Sequence, residues 1–344
     1  MRIGVLTGGG DVPGLNAAIR AVARRAFDYG WEVYGIYDGW RGLRDGLIIR
    51  LDRKDVSGIL HRGGTILGSS RTNLAKKAED MEQAIQVAKE FKLDAIVAIG
   101  GDDTLGVGSE LTKRGVPTIG IPKTMDNDVP GTDYCIGFNT AVSTVAEALD
   151  KLHSTAEAHH RVIVVEVMGR YTGWVAIMGG LAGGADYIAI PEKSASIADI
   201  CKHIQRRWEM GKKFSIVVIA EAAKIAEIIS SEEVAAKRQD DFGHIRLDMR
   251  GLGPTVADEI EKRTGFETRF VVLGHLQRGG SPTVFDRVLA TRMGVYAVDL
   301  IKQGKFARMV ALQGNTITDV DLQEIAHKRR EVDKELVDLA EIFY

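Results

Sequence analysis

The 344-residue chain has 45 basic and 47 acidic residues, a formal net charge of −2, and is 45% hydrophobic and 27% charged. That length suits two domains of about 100–200 residues each, and the composition excludes a disordered chain, a coiled coil and a general nucleic-acid binder. No apolar run approaches the roughly 18 residues of a membrane span, Met1 leads into a strand and not a signal peptide, and two cysteines suit a reducing cytosol, so a cytoplasmic protein with no membrane partner is expected.

Short β-branched runs alternate with helical patterns from the first residue. Arg2 to Thr7 reads as a buried strand, Asn16 to Tyr29 as a helix with apolar residues at Ala18, Ile19, Val22 and Ala26, and Trp31 to Tyr37 as a strand. A helix over Met81 to Phe91 follows, then strands over Asp94 to Ile99 and Thr118 to Ile121, and a helix over Ala141 to Leu152. Further strands are expected at Arg161 to Val167, Tyr187 to Ile190 and Phe214 to Ile219. This alternation predicts an α/β fold, two doubly wound domains with parallel-rich sheets. Lys224 to Gly265 breaks the pattern with Ser230 to Glu233 and Lys237 to Asp241, and reads as a solvated excursion of surface helices and loop.

The chain holds 39 glycines, where average usage gives about 24. They cluster after strands: Gly8-Gly9-Gly10, Gly63-Gly64, Gly100-Gly101, Gly169, Gly179-Gly180, Gly183-Gly184, Gly274 and Gly279-Gly280. In doubly wound sheets ligands sit at the carboxyl ends of strands, where glycine lets backbone approach a phosphate beside a helix N-terminus. The clustering therefore predicts several phosphate cradles.

Three clusters carry chemistry. Thr7-Gly8-Gly9-Gly10-Asp11 joins a strand to a helix without a full G-x-G-x-x-G or a Walker lysine, and a turn that only packs helix on strand would read the same. Gly100-Gly101-Asp102-Asp103-Thr104 sets two carboxylates at a helix start, as caps or as a magnesium ligand beside substrate phosphates. Pro122-Lys123-Thr124-Met125-Asp126-Asn127-Asp128 supplies a lysine and two carboxylates, enough for one proton acceptor and one metal ligand in phosphoryl transfer. Arg71, Arg161, Arg170, Arg269, His275 and Arg278 sit near other strand ends and suggest a positive cleft for a phosphorylated substrate.

Over essentially its whole length the sequence resembles the 6-phosphofructokinase family. The resemblance rests on Gly14-Leu15-Asn16-Ala17-Ala18-Ile19-Arg20, Gly63 to Ser69, Asp126-Asn127-Asp128, Gly131-Thr132-Asp133-Tyr134, Val165 to Arg170 and Leu273 to Gly280. It implies Asp126 as the base for the sugar 1-hydroxyl, Thr124 and Arg170 orienting the reacting groups, and Arg71 near the transferred phosphoryl. Asp102 and Asp128 would serve Mg2+. The fructose 6-phosphate site would use Thr124, Asp126, Asp128, Met168, Gly169, Arg170, Glu221, His275 and Arg278, with Arg161 and Arg269 reaching it from a neighbouring subunit of a homo-oligomer, most often a tetramer.

Three departures bear on the donor. ATP-dependent bacterial relatives carry glycine where this chain has Asp103 and Lys123, and two unit charges about 4 Å apart repel by roughly 4 kcal/mol at an effective dielectric of 20. Asp103 would thus exclude a nucleotide α-phosphate, and Lys123 suits a compact donor, so with Gly9, Gly10 and Arg71 the donor site matches the pyrophosphate-dependent branch. Thr72-Asn73 follows Arg71 where the ATP-dependent pattern has an aromatic. Trp40 keeps a family aromatic position, so the nucleotide face reads as partly erased. Arg20, Arg24, Arg53, Lys212 and Lys213 match effector-site positions of regulated members while His153 replaces an arginine there; pyrophosphate-dependent relatives are usually unregulated, so the resemblance implies no strong allostery.

The expected domains are residues 1–138 with about 276–326 for donor and magnesium, and 139–275 with about 327–344 for fructose 6-phosphate, 224–265 being a polar insertion. The expected reaction is reversible phosphoryl transfer from pyrophosphate to the fructose 6-phosphate 1-hydroxyl. The alternatives are an ATP-dependent 6-phosphofructokinase, a non-catalytic sugar phosphate sensor, and a nicotinamide-dependent oxidoreductase that would leave Asp126 and Asp128 idle.

Overall fold

The computed structural model describes residues 1–228, 251–325 and 328–344. They fall into two compact units, residues 1–140 with 278–329 and residues 141–277 with 330–344.

Unit one is built on a seven-stranded sheet of β1 (Arg2–Thr7), β2 (Glu32–Ile36), β3 (Ile48–Leu51), β4 (Ala95–Gly100), β5 (Thr118–Pro122), β10 (Arg308–Gln313) and β11 (Thr316–Asp321). Its spatial order is β11-β10-β5-β4-β1-β2-β3. The inner strands pair in parallel. β4 and β5 are buried throughout, which is why they read as unbroken apolar runs and not as alternations. β2–β3 and β10–β11 are antiparallel edges; Gly314-Asn315 turns β10 into β11 in a tight hairpin, which forces that direction.

The sheet is flanked by α1 (Leu15–Asp28), α2 (Gly39–Asp45), α3 (Ala78–Glu90), α4 (Asp102–Lys113), α9 (Val284–Lys302) and the short α10 (Leu322–Ile325). The chain leaves β1 for β2 on one side and returns through β4 on the other, so the carboxyl ends of β1 and β4 meet at the switch point where such sheets bind ligands.

Unit two holds four parallel strands, β6 (Val162–Val167), β7 (Tyr187–Ala189), β8 (Ser215–Ala220) and β9 (Thr268–Val272), in the order β7-β8-β6-β9. Its helices are α5 (Phe138–His159), which starts at the end of unit one, α6 (Trp174–Ala182), α7 (Ile197–Glu209), α8 (Leu252–Thr264) and α11 (Lys334–Glu341). Helix α5 extends well beyond the expected Ala141 to Leu152. Its start is fastened by Asp286, fully buried in α9, which accepts from the Gly137 N–H at 2.9 Å and the Thr140 N–H at 2.8 Å. A cap supplied from that far along the chain leaves no local signal.

Two expectations change here. Residues 252–264 of the supposed solvated excursion form α8, which buries Leu252, Val256, Ala257 and Ile260 against the second sheet; charges on its outer face mask the 3.6-residue apolar stripe. Ser230 to Glu233 and Lys237 to Asp241 lie outside the described residues. Trp40 is a core residue, 2% exposed, whose indole N–H donates to the Thr104 carbonyl at 3.2 Å, and not part of an open nucleotide face. Among the described residues no helix is long and apolar enough to cross a membrane.

Candidate active site

The turn after β1 divides its glycines between two tasks. A Cβ at Gly8 would come within 2.5 Å of the Thr104 hydroxyl oxygen, and one at Gly100 within 2.3 Å of the Thr104 Cβ. Those two let α4 pack onto the strand ends. Gly9 and Gly10, with Asp11, Thr65, Ser69, Ser70 and Arg71, instead line a concave site of about 430 Å³. A Cβ at Gly10 would lie 2.6 Å from the Arg278 Nη1, so a side chain there would push that guanidinium aside.

Lys123 ends the β5 segment and closes this turn from below. It is 2% exposed, and its ammonium donates to the Gly10 carbonyl at 2.5 Å. Burial, reinforced by the Arg278 charge, lowers its pKa to about 8, with Asp11 and Asp126 pulling weakly the other way. Arg278 also donates to the Asp11 carbonyl at 3.3 Å. Two cations that destabilise each other beside a glycine turn form an anion-binding arrangement, because a bound anion relieves both.

The carboxylates stand at the ends of β4 and β5. Asp102 and Asp103 occupy the first turn of α4, where the helix dipole favours negative charge. The Asp126 N–H donates to the Thr124 hydroxyl at 3.1 Å, which ties down the loop that carries the expected base. Asp128 is 8% exposed, and its carboxyl is held well above the ordinary carboxylate range by burial first, then by Asp126 and Asp102; Arg329 offsets only part of this.

A buried carboxylate raised by two others is a hard-oxygen site short of positive charge, and Mg2+ fits that donor set. Among the described residues no three ligating side chains are gathered closely enough to enclose a metal.

In unit two the carboxyl ends of the parallel strands again converge. Met168, Gly169 and Arg170 follow β6, Glu221 follows β8, and His275 lies in a 3-10 turn after β9. The Gly169 N–H donates to Glu221 at 3.4 Å, and the Met168 N–H donates to Gln277 at the same distance. Arg161 and Arg269 sit at the opposite, amino ends of β6 and β9, where both pair with Glu267, at 2.8 and 2.6 Å. Each strand is five or six residues long, so roughly 17–20 Å separates the two ends of this sheet.

Residues 2–301 match the phosphofructokinase family model. The chain belongs to the phosphofructokinase family. Among similar proteins, the pyrophosphate–fructose 6-phosphate 1-phosphotransferase of Dictyoglomus thermophilum is 48% identical over 100% of this chain and 99% of its own. That of Amycolatopsis methanolica is 50% identical over the whole of both chains. The ATP-dependent 6-phosphofructokinase 2 of Streptomyces coelicolor is 49% identical over 99% of each.

Among solved structures, Pichia pastoris phosphofructokinase in the T-state superposes with a TM-score of 0.82 at 33% identity, over 99% of this chain and 36% of that one. The pyrophosphate-dependent phosphofructokinase from Marinobacter aquaeolei gives a TM-score of 0.83 over 97% of this chain and 86% of its own; at 22% identity it speaks for the fold alone.

For this phosphofructokinase the structure adds residues that motif reading passed over. Asp11, Thr65, Ser69 and Ser70 share the concave site with Gly9, Gly10 and Arg71. Ser69 donates to the Gly9 carbonyl at 2.5 Å, and the Gly9 N–H donates to the Ser70 carbonyl at 3.0 Å. The signal was present, since Gly63 to Ser69 is itself a conspicuous glycine-bracketed run. Gln277, fully buried, pins the Met168 amide and donates to the Gly274 carbonyl at 3.2 Å. Its place between His275 and Arg278 was the available hint.

Proposed function

We propose that the chain reversibly transfers a phosphoryl group from pyrophosphate to the 1-hydroxyl of fructose 6-phosphate, giving fructose 1,6-bisphosphate and phosphate. The observation that carries the donor is the Lys123 ammonium buried under the Gly9–Gly10 turn, with Asp103 in the first turn of α4. Identity alone does not choose the donor, because relatives named for pyrophosphate and for ATP stand at 48% and 49%. An acidic residue at position 103 and a cation at 123 favour a compact, highly charged donor over a nucleotide.

The chemistry follows from the residues. The Asp126 carboxylate accepts the proton of the sugar 1-hydroxyl as its oxygen attacks the near phosphorus of pyrophosphate. The new O–P bond forms, the bridging P–O bond breaks, and phosphate leaves. Thr124 holds the Asp126 backbone in place. Lys123, Arg71 and the Gly10 N–H bind and orient the donor. Asp102 and Asp128 would hold Mg2+, which when bound neutralises phosphate charge. Met168, Gly169, Arg170, Glu221, His275 and Arg278 take the fructose 6-phosphate, its 6-phosphate drawing on the cationic side chains.

Arg161 and Arg269 serve the site of a neighbouring subunit in a homo-oligomer, a tetramer in our reading. Their place at the amino ends of β6 and β9, far from the carboxyl ends that carry Met168 and Glu221, supports this. The β9 edge strand also leaves Phe270 and Val272 about half exposed, at 51% and 48%, an apolar edge suited to a second copy. Both cysteines are free thiols, which supports a reducing, cytoplasmic setting. Phosphorus NMR of the enzyme with fructose 6-phosphate, pyrophosphate and Mg2+ tests the reaction. Fructose 1,6-bisphosphate should accumulate with phosphate, and pyrophosphate should form when the products are supplied instead.

A further inference from the structure

Asn127 stands between the two carboxylates of the phosphoryl-transfer loop, and its backbone is left-handed, φ 52°. Five described non-glycine residues have positive φ, namely Asp38, Lys92, Asn127, His160 and Ala307. Asn127 is the buried one of the five, at 1% exposure. Lys92 and His160 follow the ends of α3 and α5, where a left-handed residue commonly terminates a helix. Asn127 ends no helix, so its strain serves the loop itself.

Both ends of its side-chain amide are used. The Nδ2 donates to the Asp133 carbonyl at 3.1 Å, and the Oδ1 accepts from the Cys135 N–H at 2.8 Å. The segment it grips is itself fixed to β10. The Asp133 N–H donates to the Leu312 carbonyl at 2.8 Å, the Leu312 N–H to the Thr132 hydroxyl at 3.0 Å, and the Gly314 N–H to the Asp133 carboxylate at 2.6 Å. Beneath lie Val129 and Cys135, packed with Leu105, Met309, Leu322 and Ile325. The loop bearing Asp126 and Asp128 is thus joined to a rigid strand through one side chain that also holds an unfavoured backbone angle. Stored strain of this kind persists only where its surroundings enforce it.

We propose that Asn127 is a positioning residue for phosphoryl transfer, fixing the backbone from which Asp126 and Asp128 project. This rests on the proposed role of Asp126 as base. Asparagine suits the task because it tolerates the left-handed region better than most residues and carries a donor and an acceptor on one short side chain.

The test compares Asn127→Gly with wild type, using whichever donor, pyrophosphate or ATP, the wild type turns over. Failure of wild type with pyrophosphate would count against the functional reading and not against this inference. Glycine keeps the backbone angle and removes both amide bonds. The kcat should fall about 10- to 100-fold, the scale of a catalytic group displaced by roughly 1 Å, while both KM values stay within about threefold. A fall of less than about fivefold overturns the proposal, as does a loss that appears mainly in KM.

Leu322→Ala, which opens the core beneath the loop without touching the amide bonds, controls for stability. It should lower the melting temperature and keep kcat, and an equal kcat loss at equal loss of stability would make Asn127 merely structural. If Asn127→Gly does not fold, Thr132→Val loosens the gripped segment instead. A kcat fall of about fivefold or more with unchanged KM then supports the proposal, and wild-type kcat overturns it.

Discussion

Lys123 donates from a buried position to the carbonyl of Gly10 at 2.5 Å. The contact joins the end of β5 to the turn after β1, so the turn proposed to take the donor is shaped by a charge held beneath it. That charge is kept at a cost, since burial and Arg278 bring its pKa down to about 8.

A pH dependence follows. The folded pKa of Lys123 lies below the ordinary lysine value, so the ammonium is present below about pH 8 and is lost as pH rises through that point. The kcat/KM for pyrophosphate should therefore decline above about pH 8, and the decline should be absent in Lys123→Met, whose pyrophosphate KM is already raised. Initial rates between pH 6 and 10 check this, and an unchanged decline in the variant would assign the titration to another group.

Asp103 should control the nucleotide. Asp103→Gly, and more so Asp103→Gly with Lys123→Gly, should tighten ATP by at least tenfold, within the roughly thousandfold that about 4 kcal/mol of charge repulsion allows. ATP titration by calorimetry measures it. No gain in ATP affinity would contradict the steric and electrostatic account of donor choice.

Asp126 should separate chemistry from binding. Asp126→Ser removes the proton acceptor and should lower kcat by about 10²- to 10⁴-fold. Binding of fructose 6-phosphate, read by calorimetry, should stay close to wild type. Tight binding with near-normal turnover would exclude Asp126 as the base.

Subunit mixing tests the shared site. Arg161→Ala and Asp126→Ser enzymes, each nearly inactive, should regain activity when dissociated and reassembled together, because hybrids contain sites with an intact Asp126 and a neighbour's intact Arg161. Sedimentation should show the same oligomer throughout. A mixture no more active than its parts would place Arg161 in its own subunit's chemistry.

Much of this was legible in the sequence because the relevant features are local. β1, β4 and β5 announce themselves as apolar runs, and Asp102, Lys123 and Asp126 follow strand ends in spaced motifs. What was not legible depends on distant partners. The strong capping of α5 comes from Asp286, the antiparallel edges come from hairpin and edge geometry, and α8 hides its apolar stripe among charges. Gly8 and Gly100 show the same limit within a motif. Their neighbours Gly9 and Gly10 line the concave site, while they themselves make room for Thr104, and nothing in the glycine run alone separates the two roles.

The central claim is the donor, and initial rates at saturating fructose 6-phosphate and Mg2+ test it most directly, with pyrophosphate and ATP supplied in turn. The account predicts fructose 1,6-bisphosphate formation with pyrophosphate and little or none with ATP. ATP turnover equal to or above that with pyrophosphate would contradict it.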